Sequence, residues 1–197
     1  MEFREALVTR RSEYSLSANV RMKEKDILSV IESCVIHAPS AFDSKSQRTV
    51  VLFDDAHKKF WSIVLEELKK RVKPEAFAQT EKKITSFAAA YGTVLFFTND
   101  AVTEELQTKF PTYASSFPTW GEHASAMLQY MVWTSLESIG LGANLQHYNP
   151  IIDEEVKKTF DIPSSWRLIA QMPFGAIEEP APSKDLTGRE LNLLVRR

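Results

Sequence analysis

The chain has 197 residues, 44% hydrophobic and 25% charged, which is enough apolar material for a sizeable core and an ordinary balance for a globular protein. A formal net charge of −2 gives no electrostatic reason to expect nucleic acid or an anionic membrane as partner. The single cysteine, Cys34, excludes an internal disulfide and suits a reducing compartment. The opening MEFREALVTRRSEYS carries charges where a signal peptide has its apolar stretch. The longest uncharged run, Ile84 to Asn99, has 16 residues; a membrane-spanning helix needs about 20. The expectation is one soluble, cytoplasmic domain over residues 1–197.

A short helix is predicted over residues 2–9, leading to Arg10-Arg11-Ser12. A clearer helix covers 23–37, with Ile27, Leu28, Val30, Ile31, Cys34 and Val35 inward. It stops at Pro39, because the residue before a proline is pushed out of helical geometry. The polar loop Ala38 to Arg48 then enters a buried strand, Thr49–Phe53, marked by its β-branched run. Asp54 or Asp55 is expected to cap a helix with the stripe Phe60, Trp61, Val64, Leu65 and Leu68. Pro74 restarts the chain into one or two helices ending near Ala90, and Gly92–Thr98 reads as the second buried strand. Asn99 or Asp100 should cap a short helix carrying Val102, Leu106 and Phe110, followed by the aromatic loop PTYASSFP.

Thr119 to Pro150 reads as one long helix closed by an unusual turn. Thr119 and Glu122 have capping-box spacing. Ala124, Met127, Leu128, Met131, Val132, Leu136 and Ile139 keep helical spacing, while Ala126, Tyr130 and Trp133 deny it a polar face. A helix apolar nearly all round is expected to be buried on all sides, in a domain centre, a subunit interface, or both. Gly140 and Gly142 end it, followed by Ala143-Asn144-Leu145-Gln146-His147-Tyr148-Asn149-Pro150. Beyond that, residues 153–158 suit a short helix, Trp166–Met172 a third strand stopped by Pro173 and Gly175, and Leu191–Arg196 a possible last strand. The fold class is helix-rich α+β, a small sheet packed by helices on its faces.

Several chemistries are excluded by pattern. His37, His57, His123 and His147 form no i,i+3 or i,i+4 pair, and no HExxH or cysteine pair occurs, so no metal is expected. Gly140-x-Gly142 lacks a third glycine and follows a helix, which rejects a dinucleotide fingerprint. There is no GxSxG elbow. Three stretches remain. Arg10-Arg11-Ser12 offers two guanidinium forks and a hydroxyl to a phosphate monoester, although neighbouring basic residues are usually just solvated. The loop APSAFDSKSQR is well placed to line a pocket, or is an ordinary connection. Asn144–Tyr148 brings amides and an imidazole to one turn, or simply caps the helix.

Taken together and in this order, Arg10-Arg11-Ser12-Glu13-Tyr14, Ala38-Pro39-Ser40-Ala41-Phe42 and Gly140-Leu-Gly-Ala-Asn-Leu-Gln-His-Tyr-Asn-Pro150 resemble the FMN-dependent nitroreductases over nearly the whole chain. Within that family they resemble the small bacterial and fungal branch named for a fatty-acid-repression phenotype in yeast. The resemblance implies a three-layer fold with a small, mainly antiparallel sheet, and a homodimer whose interface contains the central helix and two FMN sites. It implies NADH or NADPH as hydride donor and a small aromatic acceptor such as a nitroaromatic or quinone. Arg10, Arg11, Ser12 and Lys184 would hold the FMN phosphate, with Tyr14 beside them. Pro39 and Ser40 would lie along the flavin. Leu145, Gln146, His147 and Tyr148 would cover one of its faces, the backbone N–H of His147 reaching toward N5, so no side-chain catalyst is assigned. Phe110, Tyr113 and Phe117 would form an aromatic lid, or be core packing. Leu191–Arg196 would be a strand exchanged with the partner. Two positions depart from the branch, which commonly has Asn at Asp43 and Gln at Lys45. An ionised Asp43 near the pyrimidine edge would oppose the negative charge that develops on reduction, and Lys45 would offset it. The departures leave open a flavin-binding regulatory protein with little turnover.

Overall fold

The computed structural model describes residues 1–188 and 192–197. Its sheet is organised around β3 (Gly92–Asn99), which is buried along all but its last residue. That is why Gly92–Thr98 reads as a continuous apolar run and not as an alternating one. On one side β3 pairs antiparallel with β2 (Gln47–Phe53), from Gln47 opposite Thr98 to Phe53 opposite Gly92. On the other it pairs antiparallel with β5 (Trp166–Glu179), from Gly92 opposite Phe174 to Asn99 opposite Trp166. The far end of β5 also receives β1 (Ser15–Ser17) and the two-residue β4 (Gly142–Ala143).

Alternation along β3 divides the core into two halves. Val94 and Phe96 join Met172 and Phe174 beneath α2 (Glu24–His37) and α6 (Phe117–Ser138), against Ile27, Ile31, Leu128 and Val132. Leu95 and Phe97 face the opposite way, toward α3 (Asp54–Lys69), α4 (Pro74–Ala88) and α7 (Asp153–Thr159), against Phe60, Trp61, Phe87 and Val156. α1 (Phe3–Thr9) lies on α6, and α5 (Asp100–Lys109) precedes a 3-10 turn over Pro111–Ser116. The α+β class is as expected, with helices on both faces of an antiparallel sheet.

The boundaries correct several expectations. α6 starts at Phe117, with Pro118 in its first turn, and no side chain caps it. Proline supplies the start because its missing N–H would be unpaired there anyway. The capping box does not form; Glu122 instead accepts from Arg167 Nη1 at 3.2 Å. Asp54 and Asp55 sit inside the first turn of α3, where their charge suits the helix N-terminus without a capping bond. Asn99 stands at the N-cap of α5 without a side-chain bond. Residues 74–88 are one helix. β5 does not stop at Pro173. The Pro173 carbonyl accepts from Asn144 N at 3.3 Å, and in a strand the N and C=O of one residue point the same way. The missing N–H therefore faces the β4 side and costs the β3 ladder nothing.

α6 is not covered all round within one chain. Ala126, Met127 and Tyr130 are exposed, the last two by 40% and 42%. On α1, Phe3 and Val8 are exposed by 69% and 64%. Of the expected last strand Leu191–Arg196, Leu191 lies outside the described residues, and 193–196 have no regular structure.

Candidate functional site: a cationic pocket and an aromatic loop

The end of α1 delivers Arg10, Arg11 and Ser12 to one edge of the sheet, with Arg10 N closing the helix on Ala6 O at 2.9 Å. The chain reaches the same edge from the other direction after α6. Gly140, at φ +82°, adopts the left-handed conformation that turns the chain into β4. Ala143 then bridges Ser12, and its carbonyl accepts from Glu13 N at 3.0 Å. Fully buried Asn144 donates from Nδ2 to Glu13 O at 2.7 Å and accepts from Gln146 Nε2 at 2.8 Å. Gln146 and Gln171 exchange backbone hydrogen bonds at 2.7 and 2.9 Å. The Gln171 side chain, buried in β5, accepts from Tyr148 N at 2.8 Å and donates to Asn149 Oδ1 at 3.2 Å. The turn from Asn144 to Asn149 is thus tied to both the arginine segment and the sheet.

Arg10, Arg11, Ser12, Tyr14 and Lys184 line one open pocket of about 470 Å³, with Ala181, Pro182 and Asp185 of the tail completing it. The tail is held there by Glu13, whose carboxylate accepts from Ala181 N at 2.7 Å, and by Lys184 Nζ, which donates to Val8 O at the end of α1. The Arg10 guanidinium lies 4.3 Å from the centroid of the Trp133 ring, and Trp133 Nε1 donates to Arg11 O at 3.2 Å. Arg10 Nε and Arg11 Nη1 are buried with no hydrogen-bond partner among the described residues. Both arginines are half-buried, and each keeps one nitrogen unpaired beside the pocket, which suits an anion. A phosphate monoester is one such anion, and its oxygens match guanidinium forks.

Around the turn, Leu145 is half-buried and the His147 side chain is exposed. The Tyr148 ring stands edge-on to Trp61 at 6.0 Å. Burial, reinforced by the nearby Tyr14, pushes its phenol up to about 12.

Pro39, Ser40, Asp43 and Lys45 lie elsewhere. Ser40 Oγ accepts from Lys45 N at 2.9 Å, and Phe42, Asp43 and Lys45 all have positive φ, at 57°, 49° and 49°. Side-chain-bearing residues are rare in that region, and their clustering marks a loop constrained by something other than local preference. Asp43 Oδ2 and Lys45 Nζ pair at 3.0 Å, both side chains largely exposed. The Phe42 ring lies 5.0 Å from Phe110, 5.8 Å from Tyr113, 5.4 Å from Phe117 and 5.9 Å from Trp120, nearly parallel to the last. The aromatic group is therefore larger than the sequence suggests. Phe117 is buried core and Tyr113 is 47% exposed. Phe42 and Trp120 had a signal, one in the APSAF loop and one at the helix start, but nothing in the sequence joined them.

α6 links the two groups. Trp120 at its start carries the loop and Trp133 near its end carries the arginines. Thirteen residues of helix separate them by about 20 Å. Within one chain the expected site residues fall into two halves. No cluster of three or more His, Cys, Asp or Glu among the described residues could hold a metal ion, and no described helix is long and apolar enough to cross a membrane.

A sequence model described as the Nitroreductase family matches residues 7–176. The nitroreductase FRM2 of Saccharomyces cerevisiae is 34% identical over 173 residues, 86% of this chain and 85% of that protein. The nitroreductase CinD of Lactococcus lactis, solved with nicotinic acid, superposes with a TM-score of 0.92 at 42% identity over the whole of both chains. CinD has also been solved with 4-nitrophenol and with chloramphenicol. A nitroreductase of Desulfitobacterium hafniense with bound FMN shares the fold over the whole of both chains, with a TM-score of 0.73 at 14% identity.

Proposed function

The chain belongs to the nitroreductase family of flavin oxidoreductases, and from that membership we propose an FMN enzyme that takes hydride from NADH or NADPH and reduces nitroaromatic, quinone or related acceptors by a ping-pong cycle. The observation that carries the cofactor is the pair of buried, unpartnered donors, Arg10 Nε and Arg11 Nη1, in a pocket shared with Ser12 and Lys184. The bound FMN of the Desulfitobacterium relative and the 4-nitrophenol of CinD support the cofactor and the acceptor class.

In this reading bound FMN supplies hydride exchange at N5. The chain supplies orientation and electrostatics. Arg10, Arg11, Ser12 and Lys184 hold the phosphate, and Tyr14 flanks it. Gln171 fixes the backbone of Gln146 and Tyr148, so that Leu145 to Tyr148 present a rigid edge, including the His147 N–H, to the flavin. The Tyr148 phenol, pushed up to about 12, stays protonated at neutral pH and adds no charge there. Pro39, Ser40, Asp43 and Lys45 serve the pyrimidine edge, where Lys45 offsets the Asp43 carboxylate 3.0 Å away.

The two halves meet when a second copy brings its 39–45 loop to the first copy's arginine pocket. The open apolar stripes of α1 and α6 support such a homodimer. The whole chain acts as one FMN-binding domain, and the protein works in the cytoplasm.

The test is an absorption spectrum of purified protein, followed anaerobically after NADH and then NADPH. The expected protein is yellow and bleaches within seconds with at least one donor. Protein that stays oxidised with both overturns the oxidoreductase, and colourless protein that cannot take up FMN overturns the cofactor as well. Arg10→Glu combined with Ser12→Asp is expected to abolish FMN binding; unchanged affinity would remove the phosphate site from this pocket.

A further inference from the structure

Trp133 touches both arginines with different parts of one ring. Its π face lies beneath the Arg10 guanidinium, 4.3 Å from the centroid. Its Nε1–H points out of the ring edge and donates to the Arg11 carbonyl at 3.2 Å. An indole does both at once, because its face attracts a cation while its N–H lies in the ring plane. The consequence lies in what this leaves free. A carboxylate beside Arg10 would fix the guanidinium by consuming its N–H groups. A ring face fixes it and consumes none. Arg10 Nε remains without a partner among the described residues, and so does Arg11 Nη1, whose main chain alone is bonded to the ring. The residue that holds the Arg10 guanidinium and the Arg11 main chain competes for neither donor.

We propose, resting on the FMN reading above, that Trp133 is a positioning residue of the phosphate end. It pre-organises the Arg10 guanidinium with its donors unspent and anchors the Arg11 main chain beside it, and so makes the pocket select a phosphorylated flavin over its unphosphorylated counterpart. Ordering a long cationic side chain before the ligand arrives removes that entropic cost from binding. The benefit falls only on a ligand that carries the anion. Riboflavin has the same ring system and ribityl chain as FMN and gains nothing from it.

The experiment measures the dissociation constants of FMN and riboflavin for the native protein, Trp133→Leu and Trp133→Phe, with thermal melts to confirm folding. Trp133→Leu is expected to weaken FMN about tenfold and riboflavin hardly at all. Trp133→Phe keeps a face under Arg10 and loses the bond to Arg11 O, so its FMN affinity should fall between the other two. In an Arg10→Ala background, Trp133→Leu should lose most of its effect, because the two act as a unit. Equal weakening of both flavins would make Trp133 ordinary packing and overturn the proposal, as would an unchanged FMN affinity or an additive cycle. If the native protein binds neither flavin, the FMN reading itself falls and takes this role with it. If native protein binds FMN normally and only the Trp133 results disagree, the FMN reading stands and the positioning role alone is lost.

Discussion

His57 is 1% exposed and has both ring nitrogens engaged, Nδ1 at 2.8 Å from Thr93 Oγ1 and Nε2 at 3.2 Å from the Ala88 carbonyl. A carbonyl only accepts, so Nε2 carries the proton and Nδ1 accepts from the Thr93 hydroxyl. Thr93 Oγ1 in turn accepts from Trp61 Nε1 at 2.9 Å. This chain suits a neutral imidazole. Burial, the largest cause, lowers its pKa below 6.5. Between the lowered value and 6.5 the unfolded chain holds a proton that the native one does not. Stability is therefore full above that range and falls as the pH drops through it, by up to about 1.4 kcal/mol per pH unit. Melting temperatures from pH 7 down to 5 should show this slope, and His57→Gln should flatten it; parallel profiles would mean that His57 does not titrate on unfolding. At this scale the sequence spoke unevenly. Arg10, Arg11 and Ser12 stand out because charged forks beside a hydroxyl are few. Glu13 and Trp133 do not, since one tethers a tail 168 positions away and the other packs under an arginine 123 positions away. No local pattern encodes such pairings.

Among the elements, β5 shows what governs a boundary. A proline and a glycine inside a strand look like a stop, yet the strand continues through both. Gly175 is required by crowding. A Cβ there would overlap the Ser17 carbonyl oxygen and come within 3.0 Å of Tyr91 N, neither of which belongs to a flexible side chain. Gly175→Ala should cost about 1–3 kcal/mol and lower the melting temperature by several degrees. Gly140 differs, for a Cβ meets nothing within 4 Å there and only the left-handed φ objects. Gly140→Ala should cost about 1–2 kcal/mol, within a structure otherwise unchanged. A Gly175→Ala protein as stable as native would show that β1 can retreat from β5. Buried strands and amphipathic helices were legible because periodicity reports burial directly. Helix caps were not, because Pro118 replaces the capping box at α6, and at α3 the aspartates act through charge inside the first turn.

Over the whole molecule, the apolar α6 was readable but its cover was not. One chain buries it against the sheet and leaves Met127 and Tyr130 exposed, beside an α1 that exposes Phe3 and Val8. Hydrophobic pattern records that a face is buried somewhere, not which chain buries it. Met127→Lys with Tyr130→Asp should turn a dimer into a monomer in sedimentation experiments. It should also weaken FMN binding by at least about tenfold, although neither residue lines the arginine pocket. A double variant that stays dimeric would place the contact on another face.

The length of α6 has a genetic consequence. Its two ends hold the arginines and the 39–45 loop about 20 Å apart, so under the two-chain arrangement each chain serves one centre with its first half-site and the other centre with its second. On that arrangement a chain ruined at Arg10 and a chain ruined in the loop should each be inactive as pure dimers. Co-expressed, they should complement one another, because the hybrid would gather both defects into one centre and leave the other wholly native. Activity returning on mixing two inactive alleles would be the signature of a shared centre, and two halves belonging to one chain could never produce it.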